Sequence, residues 1–209
     1  MLILHCAVVD IGSPSKGNLG WWLHGPDWDG GGTDPEAMKA AFSRCLRHGP
    51  MVLGFEAPMY VPAKRDLMRA LQQRPGEGNR PWSGSAGATV ATISMAIVPS
   101  LLDFLAAEVP NATAWQDWKR MPTEPGQMLV FEAFVSGGRS SGHDVDARQA
   151  ALEAYGLLTG SAEVFSYLGS EACFSLLGAA LIHAGLSDDI SELRRPCLVV
   201  RAEKHWQGD

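Results

Sequence analysis

Asp10, Glu56, Glu132, His143 and Asp146 are the residues whose types and placement suit chemistry. Asp10 follows the apolar run 2–9. Glu56 follows the run 51–55, and Glu132 sits within the run 127–135. His143 and Asp146 stand three apart where a helix should begin, so they share one face of its first turn. Apolar strands delivering carboxylates to their ends, beside a helix that opens on acids, make an oxygen-donor set for Mg²⁺ or Mn²⁺. A pair of such ions clamps a phosphoryl group during in-line displacement. Each residue also has a plainer reading. Asp10 fits a turn before Gly12, and Glu132 fits a solvent-facing position. His143 to Asp146 fit a simple helix start, with Asp144 as its cap or first-turn acid. Glu56 must be solvated, paired or on a metal, because a lone buried charge is expensive. The joint placement favours the metal reading.

The elements that must carry these residues are legible. Residues 2–9 form a continuous apolar run, the pattern of a strand covered on both faces. Ser13 to Asn18 is a turn, 19–23 a second strand completing a hairpin, and 24–33 a Gly- and Asp-rich loop. Asp34 caps a helix whose first residue is Pro35 and which runs to about Arg47. Residues 51–55 form a strand, a short helix follows Pro62, and 75–87 is loop. Residues 88–108 read as a helix kinked or restarted at Pro99, 127–135 as a strand and 136–142 as a loop. Helices at 144–158 and 171–184 precede a last strand at 196–201. Strands alternating with helices imply an α/β fold with a largely parallel sheet, an N-terminal hairpin and helices on both faces. Residues 1–209 show no boundary and read as one domain.

Hydrophobic residues make up 46% of the 209 and charged residues 19%, ordinary values for a folded chain. No stretch of about 18 apolar residues is evident, so no membrane-crossing helix is expected. The apolar N-terminus lacks a basic region and a small-residue cleavage site, and reads as a strand rather than a signal peptide. Cys6, Cys45, Cys173 and Cys197 have no close pair. They suggest reduced, mostly buried thiols, no zinc site and a cytoplasmic protein. A net charge of −6 argues against a large nucleic-acid surface, and an oligomer would enlarge the available contact area. Lys64, Arg65 and Arg69, with Arg74 and Arg80, form the densest positive segment. They are the candidate contacts to an anionic substrate, or else a solvated helix face. Trp21, Trp22 and Trp82 fit core positions or base stacking. The other histidines have no ligand spacing.

The chain resembles the RNase H-like superfamily. Asp10-Ile11-Gly12 is similar to its first-strand Asp-x-Gly, with a hairpin to the next strand. Glu56 resembles the second acid, at the end of the strand after the first helix. His143-Asp144-Val145-Asp146-Ala147 is similar to the His/Asp-x-x-Asp-Ala start of the last catalytic helix in RuvC-type resolvases. Gly54-Phe55-Glu56-Ala57-Pro58 and Asp146-Ala147-x-x-Ala150-Ala151 resemble an uncharacterised family of predicted nucleases on the same fold. The third hairpin strand of that sheet is not evident, and the 25–34 segment stands in its place. RuvC-type proteins are generally basic, and their pattern does not require Glu132. The resemblance implies a nuclease cleaving phosphodiesters with two Mg²⁺ or Mn²⁺ ions. In it Asp10 bridges both ions, Glu56 and Asp146 each hold one, and His143 is a ligand or takes a proton from the attacking water. Two rivals remain. A sugar-kinase or actin-like ATPase reading, with Asp10 to Ser13 as a phosphate loop, needs two such domains. A binding or scaffold protein that keeps the fold without catalysis fits the acidic charge.

Overall fold

The structure is a computed structural model and describes residues 4–74, 77, 82–136, 142–160 and 172–203. Its first strand, β1 (His5–Asp10), is buried throughout. A 3₁₀ turn at Pro14–Lys16 leads to β2 (Gly20–Gly25), antiparallel to β1. The next segment corrects the sequence reading. Residues 28–32 are not loop but a third strand, β3 (Trp28–Gly32), antiparallel to β2. Three glycines argue against a strand by propensity. At a sheet edge the backbone ladder alone suffices, because little side-chain packing is demanded.

Helix α1 (Pro35–His48) starts as expected: the Asp34 carboxylate accepts from the Glu36 amide at 2.9 Å, and Pro35 opens the helix. It ends at Gly49, before Pro50. Strand β4 (Met51–Glu56) follows, then the short β5 (Tyr60–Pro62). A 3₁₀ turn at Leu67–Arg69 stands where a short helix was expected. Helix α2 (Ser85–Glu108) begins three residues early and runs through Pro99 as one helix. A short strand that the sequence reading missed, β6 (Thr113–Trp115), precedes β7 (Gln127–Ser136). Helix α3 (His143–Thr159) is followed by β8 (Cys173–Ser175), α4 (Leu176–His183), a 3₁₀ turn at Ile190–Arg194 and β9 (Val199–Glu203). The helix expected from 171 starts at 176, because β8 pairs with β5.

These elements make an α/β fold around a mixed seven-stranded sheet in the order β3-β2-β1-β4-β7-β6. Strands β1, β4, β7 and β6 run parallel. Strand β9 pairs parallel with the C-terminal half of β7, alongside β6 on its N-terminal half. Helices α1, α2 and α4 cover one face, packed through Phe42, Leu46, Leu101, Leu105 and Leu181 on Val9, Leu53, Phe55 and Val130. Helix α3 covers the other face, packed on Cys6, Val8, Leu129 and Phe131.

Two features of this packing bear on sequence expectations. Helix α2 is long and apolar enough to cross a membrane, with a mean hydropathy of 1.8 over an 18-residue window. This corrects the expectation of no such helix: the Ser and Thr residues within it do not bring the mean hydropathy down. Its second half packs into the core through Val98, Leu101, Leu102 and Leu105. All four cysteines are free and buried, and burial pushes the Cys45 thiol up to about 12 and Cys173 up to about 11.

The buried stripe of α3 is Ala147, Ala150, Ala151 and Ala154. Small side chains let this helix lie close to the sheet, which fixes where its N-terminus falls. Ala151→Leu should overpack the interface and cost about 1–3 kcal/mol, read by urea denaturation. An unchanged midpoint would show that the helix has room to move.

Candidate functional site

Strands β1 and β4 are parallel and paired in register, and their last residues, Asp10 and Glu56, are direct partners. Side chains of paired residues share a face, so the two carboxylates stand side by side, one strand spacing of about 4.8 Å apart at the backbone. Alternation puts both on the α3 side, with Cys6, Val8 and Val52 beneath them. Glu56 reaches toward the neighbouring strand, where its Oε1 accepts from the Val135 amide at 3.1 Å. Asp10 is buried, and its Oδ2 meets Nδ1 of His143 at 2.6 Å. A carboxylate oxygen accepts, so Nδ1 carries the proton, and in the tautomer with Nδ1–H alone Nε2 is the acceptor.

His143 is the first residue of α3, and Gly20 explains its closeness. A Cβ on Gly20 would overlap the His143 carbonyl and the Asp144 amide. Only glycine lets the helix start touch β2 opposite Asp10, its register partner. Gly142 caps the helix, and Asp144 and Asp146 are its first-turn acids, where the helix dipole favours negative charge.

A cavity of about 240 Å³ opens at these strand ends. Its described lining includes Asp10, Glu56, Glu77, Phe134, Val135 and Arg201, with Ala86 and Gly87 from the first turn of α2. It therefore lies at the C-terminal ends of β1, β4 and β7, where open α/β sheets place ligands. His143 and Asp146 are outside that lining. His143 touches the site through Asp10, and Asp146 lies half-buried in the same helical turn.

Glu132 goes elsewhere. It pairs in register with Phe55, so it faces α1, α2 and α4, on the sheet face opposite Asp10 and Glu56. It is fully buried. Arg74 grips it with two parallel bonds, Nη1 to Oε1 at 2.8 Å and Nη2 to Oε2 at 2.9 Å. Oε1 also accepts from the amides of Met59 at 2.7 Å and Tyr60 at 3.2 Å. Arg74 further donates from Nε to Glu77 at 2.7 Å and lies over the Tyr60 ring. Burial alone would lower the Arg74 guanidinium, but the charge of Glu132 outweighs it and holds Arg74 above its ordinary range. Glu132 thus anchors the chain between β4 and α2, and its distance from the acid pair is a matter of strand alternation.

The basic segment divides. Arg74 turns inward, Arg65 and Arg69 are exposed, and Lys64 is half-buried. None of these four lines the cavity, and Arg80 lies outside the described residues. Trp21 is in the core, edge-on to Phe42, while Trp22 bonds Asp29 and Trp82 donates to the Gln72 carbonyl. Sequence reasoning missed Arg201 and Glu77. Arg201 carried the same signal as Asp10 and Glu56, a charge directly after an apolar run. Glu77 sits in a loop and carried none.

Among the described residues, no group of three or more His, Cys, Asp or Glu side chains is gathered closely enough to hold a metal ion. No family model matches the chain, and neither a curated protein nor a solved structure matches it.

The Arg74–Glu132 pair supports a direct stability test. Arg74→Ala should leave a buried, unpaired carboxylate and cost about 3–5 kcal/mol in urea unfolding. A loss below about 1 kcal/mol would mean that the pair does not organise the segment between β4 and α2.

Proposed function

We propose that this chain is a divalent-metal-dependent nuclease, hydrolysing phosphodiester bonds at the cavity over Asp10 and Glu56. The observation that carries the reading is the in-register carboxylate pair, with His143 bonded to one of its members. Strand β3 adds support, because it supplies the third hairpin strand that an RNase H-like sheet requires.

The donor chemistry fits the ion. Two carboxylates present hard oxygen ligands of the kind Mg²⁺ and Mn²⁺ prefer. Asp10 and Glu56 would hold it, with Asp146 in the first turn of α3 as a further candidate ligand. When bound, such an ion lowers the pKa of a coordinated water and offsets charge on the leaving oxygen. The chain's own residues do the rest. Asp10 fixes the His143 tautomer through Nδ1–H, so that Nε2 is available to take a proton. The Val135 amide orients Glu56. Pro58, Val90 and Phe134 wall the cavity with apolar surface, which strengthens charge interactions inside it.

A second reading, an RNase H-like binding or scaffold protein without catalysis, is favoured by the lack of a gathered three-ligand group among the described residues. One experiment separates the two. Single-stranded and branched DNA and RNA oligonucleotides are incubated with the protein and Mn²⁺, alongside thermal melts. The nuclease reading predicts metal-dependent cleavage that Asp10→Asn abolishes. It also predicts a Tm raised by Mn²⁺ in the parent but not in that variant, since hundredfold excess over Kd adds about 2.7 kcal/mol. Cutting by Asp10→Asn equal to the parent would refute the assignment. No cleavage and no Mn²⁺-dependent Tm shift would favour the binding protein.

A further inference from the structure

Among the described residues lining the cavity, the one basic side chain is Arg201. We propose that Arg201 is the substrate-anion contact of this site, seating the phosphate of the phosphodiester against its guanidinium. The inference deepens the hydrolase reading above and rests on it.

Four observations converge. Arg201 belongs to β9 and is the register partner of Phe134; both alternate to the α2 side of the sheet and line the cavity across the strand ends from Asp10 and Glu56. Its guanidinium is a planar cationic fork suited to phosphate oxygens. The rest of the lining contains three acids, Asp10, Glu56 and Glu77, of which Glu77 is already held by Arg74. An anionic substrate approaching that wall needs a compensating cation, and the residues expected for that task, Lys64, Arg65 and Arg69, do not line the cavity. The first turn of α2 adds charge of the same sign. Ala86 and Gly87 line the cavity, and the cap residue Gly84 offers no side chain to their amides.

Size narrows the substrate. About 240 Å³ is below the usual size of a ligand pocket, about 300–1,000 Å³, and holds one phosphate with part of its nucleotide. The seated group is therefore one phosphodiester unit.

The test uses metal-free Asp10→Asn protein, which keeps the cavity without turnover. It is titrated by calorimetry with inorganic phosphate and with a thymidine dinucleotide. Saturable binding is expected, weakened about tenfold or more by adding Arg201→Gln. Replacing Lys64, Arg65 and Arg69 together by Ala should leave it unchanged. In a parallel measurement on the parent protein, phosphate should protect Arg201 from phenylglyoxal, but not Arg65 or Arg69, as mapped by mass spectrometry. The protection result stands even if Arg201→Gln does not fold. Equal binding by Arg201→Gln, or no protection of Arg201, overturns this proposal alone. Cleavage by Asp10→Asn would instead end the hydrolase reading and leave the phosphate result intact.

Discussion

Parallel pairing of β1 with β4, in register to the last residue, is the constraint on which the site depends. It sets Asp10 beside Glu56. A slip of one residue would send one carboxylate to the opposite face. Burial on both faces prevents that slip. Cys6, Val8 and Val52 must meet α3, while Val9, Leu53 and Phe55 must meet α1 and α2. The site is thus placed by the apolar packing of the strands that end in it. The alanine stripe of α3 and the missing side chain of Gly20 then bring His143 to Asp10.

The sheet also separates two uses of charge. Asp10 and Glu56 alternate to the α3 face and end their strands at the rim of a cavity whose other wall is Ala86, Gly87 and Val90 of α2. On the other face Glu132 is closed off from water and answered by Arg74 and two backbone amides. Burying a carboxylate that deeply is tolerable only with several donors converging on it. Arg74 meets that need, and through Glu77 it ties the same loop to the cavity wall. One guanidinium therefore links the structural face to the candidate site.

The sequence made the strand ends readable because unbroken apolar runs leave few alternatives to a covered strand. Asp10 and Glu56 followed directly, as did the Asp34–Pro35 helix start. Glu132 misled for the same reason. An acid in an apolar run looks the same whether its partner is a metal or an arginine 58 residues away. Arg74 misled in turn, since a basic run gives no hint that one member folds inward. Strand β3 was hidden by its glycines, whose pairing comes from the sheet and not from local preference. Strands β5, β6 and β8 are three residues each, too short to show a period. Arg201 was legible in principle, because it follows an apolar run as the acids do, although β9 continues past it to Glu203.

The central claim is that Asp10 and Glu56 together hold a divalent cation. A crystal soaked in Mn²⁺, with anomalous scattering recorded at the manganese edge, tests it most directly. The account predicts a peak between those two carboxylates, lost in Asp10→Asn. A well-ordered site with no peak there at millimolar Mn²⁺, or a peak coordinated by neither acid, would contradict it.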